Sequence, residues 1–208
     1  MKYFATTAVE NSAGEFLVVH HAGKERPWRF PGGKLDTRKG ESAIDCSIRE
    51  LREEVGIIPT APRPRFLGIQ HVTIDGDDWV GYGFHITEWT GTPRILEPAK
   101  HDQLLWITPA KLEELGSTLC ASRSVRSFEL NLVTLSRLTP IQERIMSLIV
   151  QFEKEKGVTN EQLAARAGIT NSAWRNELDT VRKAARLQSR KAHRSDLVAW
   201  WRRMRGGL

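Results

Sequence analysis

The sequence is poor in the features that mark secreted, membrane or repeat proteins. Only two cysteines occur, Cys46 and Cys120, far apart and with no Cys or His partner at metal-ligand spacing. This excludes a disulfide framework and a structural zinc motif, and points to two reduced thiols. No segment reaches the ~18 consecutive apolar residues of a membrane span. The opening MKYFATTAVENSAGEF lacks the long apolar run of a signal peptide. No internal repeat or low-complexity tract is visible. These absences lead us to expect a cytoplasmic chain with no membrane partner.

What is present is ordinary globular composition, 40% hydrophobic and 27% charged over 208 residues, enough for one packed core and a smaller unit. The charge is uneven. Residues 1–116 carry 14 Lys+Arg against 17 Asp+Glu, net −3, and residues 117–208 carry 17 against 8, net +9. Such asymmetry suggests two units with different partners. The first half reads as strands over Lys2–Val9, Glu15–His21, Arg65–Ile74, Trp79–Trp89 and Leu104–Ile107. A Pro/Gly loop covers Arg26–Lys34, and Asp75-Gly76-Asp77-Asp78 is a hairpin signal. Helices follow at Pro109–Leu115 and Ala121–Leu135. The second half reads as helices over Pro140–Lys156, Asn160–Ala167, Asn171–Leu187 and Ser195–Met204, with Pro140 suited to a first helical position. The expectation is an α+β domain over 1–135 and an all-α domain over 136–208.

The strongest chemical signal is a helix over Ser42–Val55. Ile44, Ile48, Leu51 and Val55 form its apolar stripe. Ser42 caps it with Asp45 as in a capping box, and Gly56 suits a left-handed stop. Glu50, Glu53 and Glu54 stand at i, i+3 and i+4, so all three are expected on one face. Clustered carboxylates raise one another's pKa, a cost that a divalent cation relieves. Arg49 can pair with Glu53 at i+4. The alternative is a solvated acidic face.

The stretch Arg49-Glu50-Leu51-Arg52-Glu53-Glu54-Val55-Gly56-Ile57, with Glu41 upstream, resembles the Nudix box of MutT-like hydrolases. Trp28-Arg29-Phe30-Pro31-Gly32-Gly33-Lys34-Leu35-Asp36 resembles the family's approach to it. Glu97-Pro98-Ala99-Lys100 followed by Leu105-Trp106 is similar to a stretch in members directed at nucleoside triphosphates. Seven residues, 34–40, separate Gly33 from Glu41, two more than is usual, with Thr37-Arg38-Lys39 as the apparent insertion. The contacts of Asp36 are therefore open.

The resemblance implies a Nudix fold, a mixed sheet between helices, and hydrolysis of a pyrophosphate link by water attack on phosphorus. It implies Mg²⁺ (or Mn²⁺) held by Glu50, Glu53, Glu54 and the Gly32 carbonyl. One of the glutamates would be the base, and Arg49 would position Glu53. Arg29, Lys34 and Lys39 are candidate phosphate contacts. Glu97 is either a further ligand or a loop carboxylate. Trp28 and Trp106 read as packing residues, and Asp77 and Asp78 as turn residues. His20, His21, His71, His85 and His101 show no spacing that marks a ligand set and are left structural.

Thr159–Leu178 resembles a helix-turn-helix, with Leu163, Ala164, Ile169, Trp174 and Leu178 as its small core and Gly168 at the turn. Asn171, Ser172 and Arg175 would face bases. Arg182, Lys183, Arg186, Arg190, Lys191 and Arg194 would reach phosphates of DNA or RNA. The alternative is a packing or homodimerisation module. Trp200, Trp201 and Met204 read as a packing stripe. The favoured reading is a nucleotide hydrolase converting a (d)NTP to a (d)NMP and pyrophosphate. Its rivals are a metabolite-sensing transcription regulator and a hydrolase of ADP-ribose, dinucleotides or capped RNA.

Overall fold

The computed structural model describes residues 1–23, 28–60, 63–115, 123–153, 155, 157–185 and 193–204, apart from the side chains of 123–124 and 203–204. It divides into two compact units, Met1–Ser136 and Arg137–Leu208.

In the first unit, β1 (Lys2–Val9), β4 (Gly32–Lys34), β6 (Arg65–Ile74) and β7 (Asp77–Ile86) form one sheet in the order β4-β1-β7-β6. The β1–β7 pair is parallel and the other pairs are antiparallel. A second sheet joins β3 (Trp28–Arg29), β2 (Phe16–His21) and β9 (His101–Ile107), and a third pairs β5 (Ile58–Pro59) with β8 (Trp89–Thr90). The remaining elements are α1 (Ala43–Glu50), α2 (Pro109–Glu114) and α3 (Arg123–Ser136).

Alternation along β7 explains why helices cover both faces of the mixed sheet. Tyr82 and Phe84 pack with Ala5, Cys46, Ala43 and Ile44, so α1 lies on that face. On the other face stand Gly81 and Gly83. A Cβ there would come within 2.4 Å of Phe4 and 2.1 Å of Leu132, so the missing side chains let α3 settle close to the sheet. The β6–β7 hairpin turns through Asp75 (φ 51°) and Gly76 (φ 82°), the left-handed pair that a two-residue turn needs.

The structure corrects several sequence expectations. The loop expected over Arg26–Lys34 contains β3 and β4. The strand expected over Trp79–Trp89 ends at Ile86, with Trp89 in β8. The strand expected to begin at Leu104 begins at His101. The long helix is α-helical only to Glu50 and continues as a π-turn over Leu51–Val55, ended by Gly56 at φ 72°. Its buried face also includes Cys46 and Ser47, while Ile44 and Ile48 are half-buried, because the segment meets both sheets. Leu51 and Val55 join Val9, Leu17, Val19, Ile57 and Ile86 in a second core cluster. Asp45 does not close a capping box. Its backbone N–H donates to Ser42 Oγ, while its carboxylate accepts from the Ser42 hydroxyl.

The second unit comprises α4 (Pro140–Gln151), α5 (Asn160–Ala167), α6 (Asn171–Ala184) and α7 (Arg194–Met204). Full capping boxes start α4 (Thr139 with Gln142) and α5 (Thr159 with Gln162), and Thr170 caps α6. Leu163, Ala164, Trp174, Leu178 and Val181 are buried with Ile145, Met146 and Ile149 of α4 and with Leu197, Val198, Trp200 and Trp201 of α7. No helix among the described residues is long and apolar enough to cross a membrane.

Candidate functional site

The π-turn decides which carboxylates face inward. A wider turn changes the angular offset of i+3 and i+4 relative to an α-helix. Glu50 and Glu54 are buried at 8% and 4% exposure, whereas the Glu53 side chain is 44% exposed. The three differ in burial: Glu50 and Glu54 enter the interior, while the exposed Glu53 meets Glu50 at the shared Arg49 Nη1.

Arg49 is the hub. Its Nε donates to Glu41 Oε1 at 2.7 Å and its Nη2 to Glu41 Oε2 at 3.1 Å, a two-pronged pair. Nη1 donates to Glu50 at 2.6 Å and to Glu53 at 2.9 Å, and Nη2 also reaches the Lys34 carbonyl at 3.1 Å. The hydrogen bond to Arg49 holds the Glu41 carboxyl below its ordinary value, and the Glu41 bond chiefly pushes the Arg49 value up. Sequence reasoning left Glu41 without a role. Its partnership with Arg49 across eight residues lies outside helical spacing rules. The added residues Thr37–Lys39 form a 3₁₀ turn that brings the Asp36 N–H to Glu41 Oε2 at 2.8 Å.

The two glycines of β4 receive the buried carboxylates. A Cβ at Gly32 would lie 2.2 Å from the Ala5 carbonyl, and one at Gly33 would lie 2.3 Å from Glu50 Oε1. The Gly32 N–H donates to Glu54 Oε2 at 2.9 Å. Burial raises the Glu50 pKa and pushes Glu54 to about 8, with the Glu50 and Glu97 charges adding to the Glu54 shift. Two desolvated carboxylates beside one guanidinium and one backbone N–H form a donor set that suits a divalent cation.

Residues from β2 and β9 complete this corner. His101 Nε2 lies 3.5 Å from Glu54 Oε1 and 3.1 Å from His21 Nε2. Desolvation lowers the His101 pKa, favouring the neutral ring. Neither histidine was marked by sequence spacing, since 80 residues separate them.

Residues 4–128 match the model of the NUDIX domain. The chain belongs to the Nudix family. Over 72 residues it is 36% identical to an RNA pyrophosphohydrolase of Psychrobacter cryohalolentis, covering 35% of each chain. Over 82 residues it is 30% identical to a CTP pyrophosphohydrolase of Escherichia coli, covering 39% of this chain and 56% of that one. The matches thus span about a third to just over half of these relatives. In fold it is similar to a MutT protein of Methanosarcina mazei, with TM-score 0.53 and 20% identity over 65% of this chain and 95% of that one.

Beside Gly32 and Gly33 is a pocket of about 440 Å³. Its walls include Phe4, Phe30 and Trp79, the cations Arg29 and Lys34, and Glu129 of α3. Lys34 Nζ sits 5.2 Å from the centre of the Trp79 ring. Glu129 is buried. One carboxyl oxygen accepts the Phe30 N–H at 3.1 Å, and Oε2 has no hydrogen-bond partner among the described residues. Burial pushes its pKa to about 8. A single Glu on a helix gives no sequence signal, so sequence reasoning missed it.

Lys39 pairs with Asp36, and Glu97 with Lys100. Trp28 packs edge-on to His20, and Trp106 stacks on Trp89. Asp77 begins β7 and pairs with Lys2. In the second unit Ser172 and Arg175 are exposed, while Asn171 is half-buried with a buried Oδ1. Arg194, expected to reach phosphates, instead donates to the Val158 carbonyl and Asn160 Oδ1, both at 2.7 Å. Cys46 is a buried free thiol. Cys120, Arg186, Arg190 and Lys191 lie outside the described residues.

Proposed function

We propose that this chain is a divalent-metal-dependent hydrolase that cleaves a (d)NTP into a (d)NMP and pyrophosphate. The observation that carries the reading is the buried Glu50–Glu54 pair against Gly32 and Gly33, next to a pocket containing both cations and aromatic rings. Glu50, Glu53 and Glu54 would hold the cation, Mg²⁺ or Mn²⁺. When bound, it neutralises phosphate charge and activates water. Arg49 orients Glu50 and Glu53 and is itself held by Glu41. Arg29 and Lys34 attract phosphate oxygens, which favours positioning over covalent catalysis. The half-buried Phe4 ring, backed by the buried Phe30 and Trp79, would meet a base at this pocket, with the buried Glu129 in its wall. The relative named as a CTP pyrophosphohydrolase supports the choice of a nucleoside triphosphate.

The basic second unit is proposed to bind nucleic acid separately from the chemistry. The net charge of +8 over residues 137–208, 15 Lys+Arg against 7 Asp+Glu, and the exposed Ser172 and Arg175 support this role.

The test incubates the purified full chain with triphosphates, sugar nucleotides, dinucleotides, ADP-ribose and capped RNA, with Mg²⁺ or Mn²⁺ and with chelator. Release of nucleoside monophosphate and pyrophosphate only with metal is expected. Faster turnover of ADP-ribose or a dinucleotide removes the triphosphate assignment. No turnover of any substrate removes the enzyme and leaves a ligand sensor.

A further inference from the structure

The meeting of His21 and His101 depends on an irregularity in the β2–β9 ladder. His20 is paired with Gln103, yet the next residue, His21, is paired with His101. Asp102 is the extra residue of this bulge. Its carboxylate contacts His20 instead. Without the bulge, His21 would face Asp102. Bulges of this kind re-aim side chains and are common beside functional sites.

The re-aimed ring completes a compact donor set. Glu54 Oε2 is occupied by the Gly32 N–H, while Oε1 faces His101 Nε2 at 3.5 Å. His21 Nε2 and His101 Nε2 are 3.1 Å apart, and one ligand atom from each of the three residues lies within 4.8 Å of the others. Bonds of ~2.1 Å to a tetrahedral cation place neighbouring ligands roughly 3.4 Å apart. The two short separations bracket that spacing. His101 is fully buried and, among the described residues, its Nδ1 has no hydrogen-bond partner, so the polar contacts seen for this ring are made through Nε2.

We propose that His21, His101 and Glu54 form a three-ligand site for a transition-metal cation of the Zn²⁺ class, adjoining the all-oxygen set of Glu50, Glu53 and Glu54 and differing from it by its two imidazole ligands. Imidazole nitrogen suits Zn²⁺ and Co²⁺, whereas Mg²⁺ takes oxygen ligands. His21 also lines the 440 Å³ pocket, so the site adjoins that opening. Glu54 is shared with the proposed hydrolytic centre, but the inference concerns nitrogen ligation and needs no turnover.

Co²⁺, a coloured stand-in for Zn²⁺, tests this on the chelator-treated full chain without nucleotide. We expect one equivalent to bind with visible absorption of tetrahedral intensity. Zn²⁺ should erase the signal, and excess Mg²⁺ should leave it. His21→Ala and the shape-conserving His101→Gln should each weaken binding roughly tenfold or more, with folding checked by circular dichroism. His20→Ala should leave the spectrum intact. Weak, octahedral-type absorption, or a signal lost in Glu50→Gln but kept in His21→Ala, overturns the site in favour of the carboxylate set or a plain His–His hydrogen bond. A nitrogen-ligated Co²⁺ signal without hydrolysis removes the hydrolase reading alone. Hydrolysis without that signal removes this inference alone.

Discussion

The Nudix box and the α5–α6 segment are both short, highly charged stretches, and they treat charge in opposite ways. In the box, Glu50 and Glu54 are buried and Arg49 is bonded to three carboxylates and a carbonyl. In α5–α6 the apolar residues fill the interior, while Ser172 and Arg175 stay in solvent. Burying a charge costs far more than leaving it solvated, so the box persists only with partners and suits a bound cation. Among the described residues of α5–α6 no charged residue is buried in this way. The surface charges of this segment are suited to long-range attraction of a polyanion.

The largest expected effect breaks the box. Glu54→Gln or Glu50→Gln keeps shape and removes a buried carboxyl group that could ionise to hold a cation. Hydrolysis should fall by roughly 10²-fold or more, with weaker metal binding. Glu53→Gln should fall less, because this side chain is exposed and tied to the cluster through Arg49. Steady-state rates and metal titrations check the order, and equal losses at Glu53 and Glu54 would erase the distinction drawn from the π-turn.

An intermediate effect concerns the cost of burial itself. Glu129 titrates at about 8 in the fold against an ordinary 4.5. The folded state therefore holds a proton that the unfolded chain releases between these values. Its contribution is fully present below about pH 4.5 and is lost as pH rises through about 8. Chelator-treated protein should lose on the order of a few kcal/mol between these limits from this group. Thermal melts across that range should show a shallower decline for Glu129→Gln, with the slope from Glu54 remaining. Parallel curves for both proteins would show that Glu129 is not the source.

The smallest effect tests the other side of the comparison. Arg175→Ala removes an exposed charge and should change stability by no more than about 0.5 kcal/mol. It should weaken low-salt binding of duplex DNA and reduce sequence preference. A large loss of melting temperature would show that Arg175 supports the helical unit rather than its surface.

Local chemistry was readable where it is written contiguously. The spacing of Arg49, Glu50, Glu53, Glu54 and Gly56 marks a helix with carboxylates and a left-handed stop, because neighbours along a helix follow from its period. Apolar alternation and the Asp75-Gly76 turn identify β6 and its hairpin for the same reason. Tertiary structure decided which carboxylates turn inward, through a π-turn packed between two sheets. It also decided that Glu41 holds Arg49, that Glu129 meets the Phe30 N–H across 99 residues, and that a bulge turns His21 onto His101. Those contacts depend on strand register and on how closely glycine-bearing strands let their neighbours approach, and neither quantity is carried by residue spacing within any one segment.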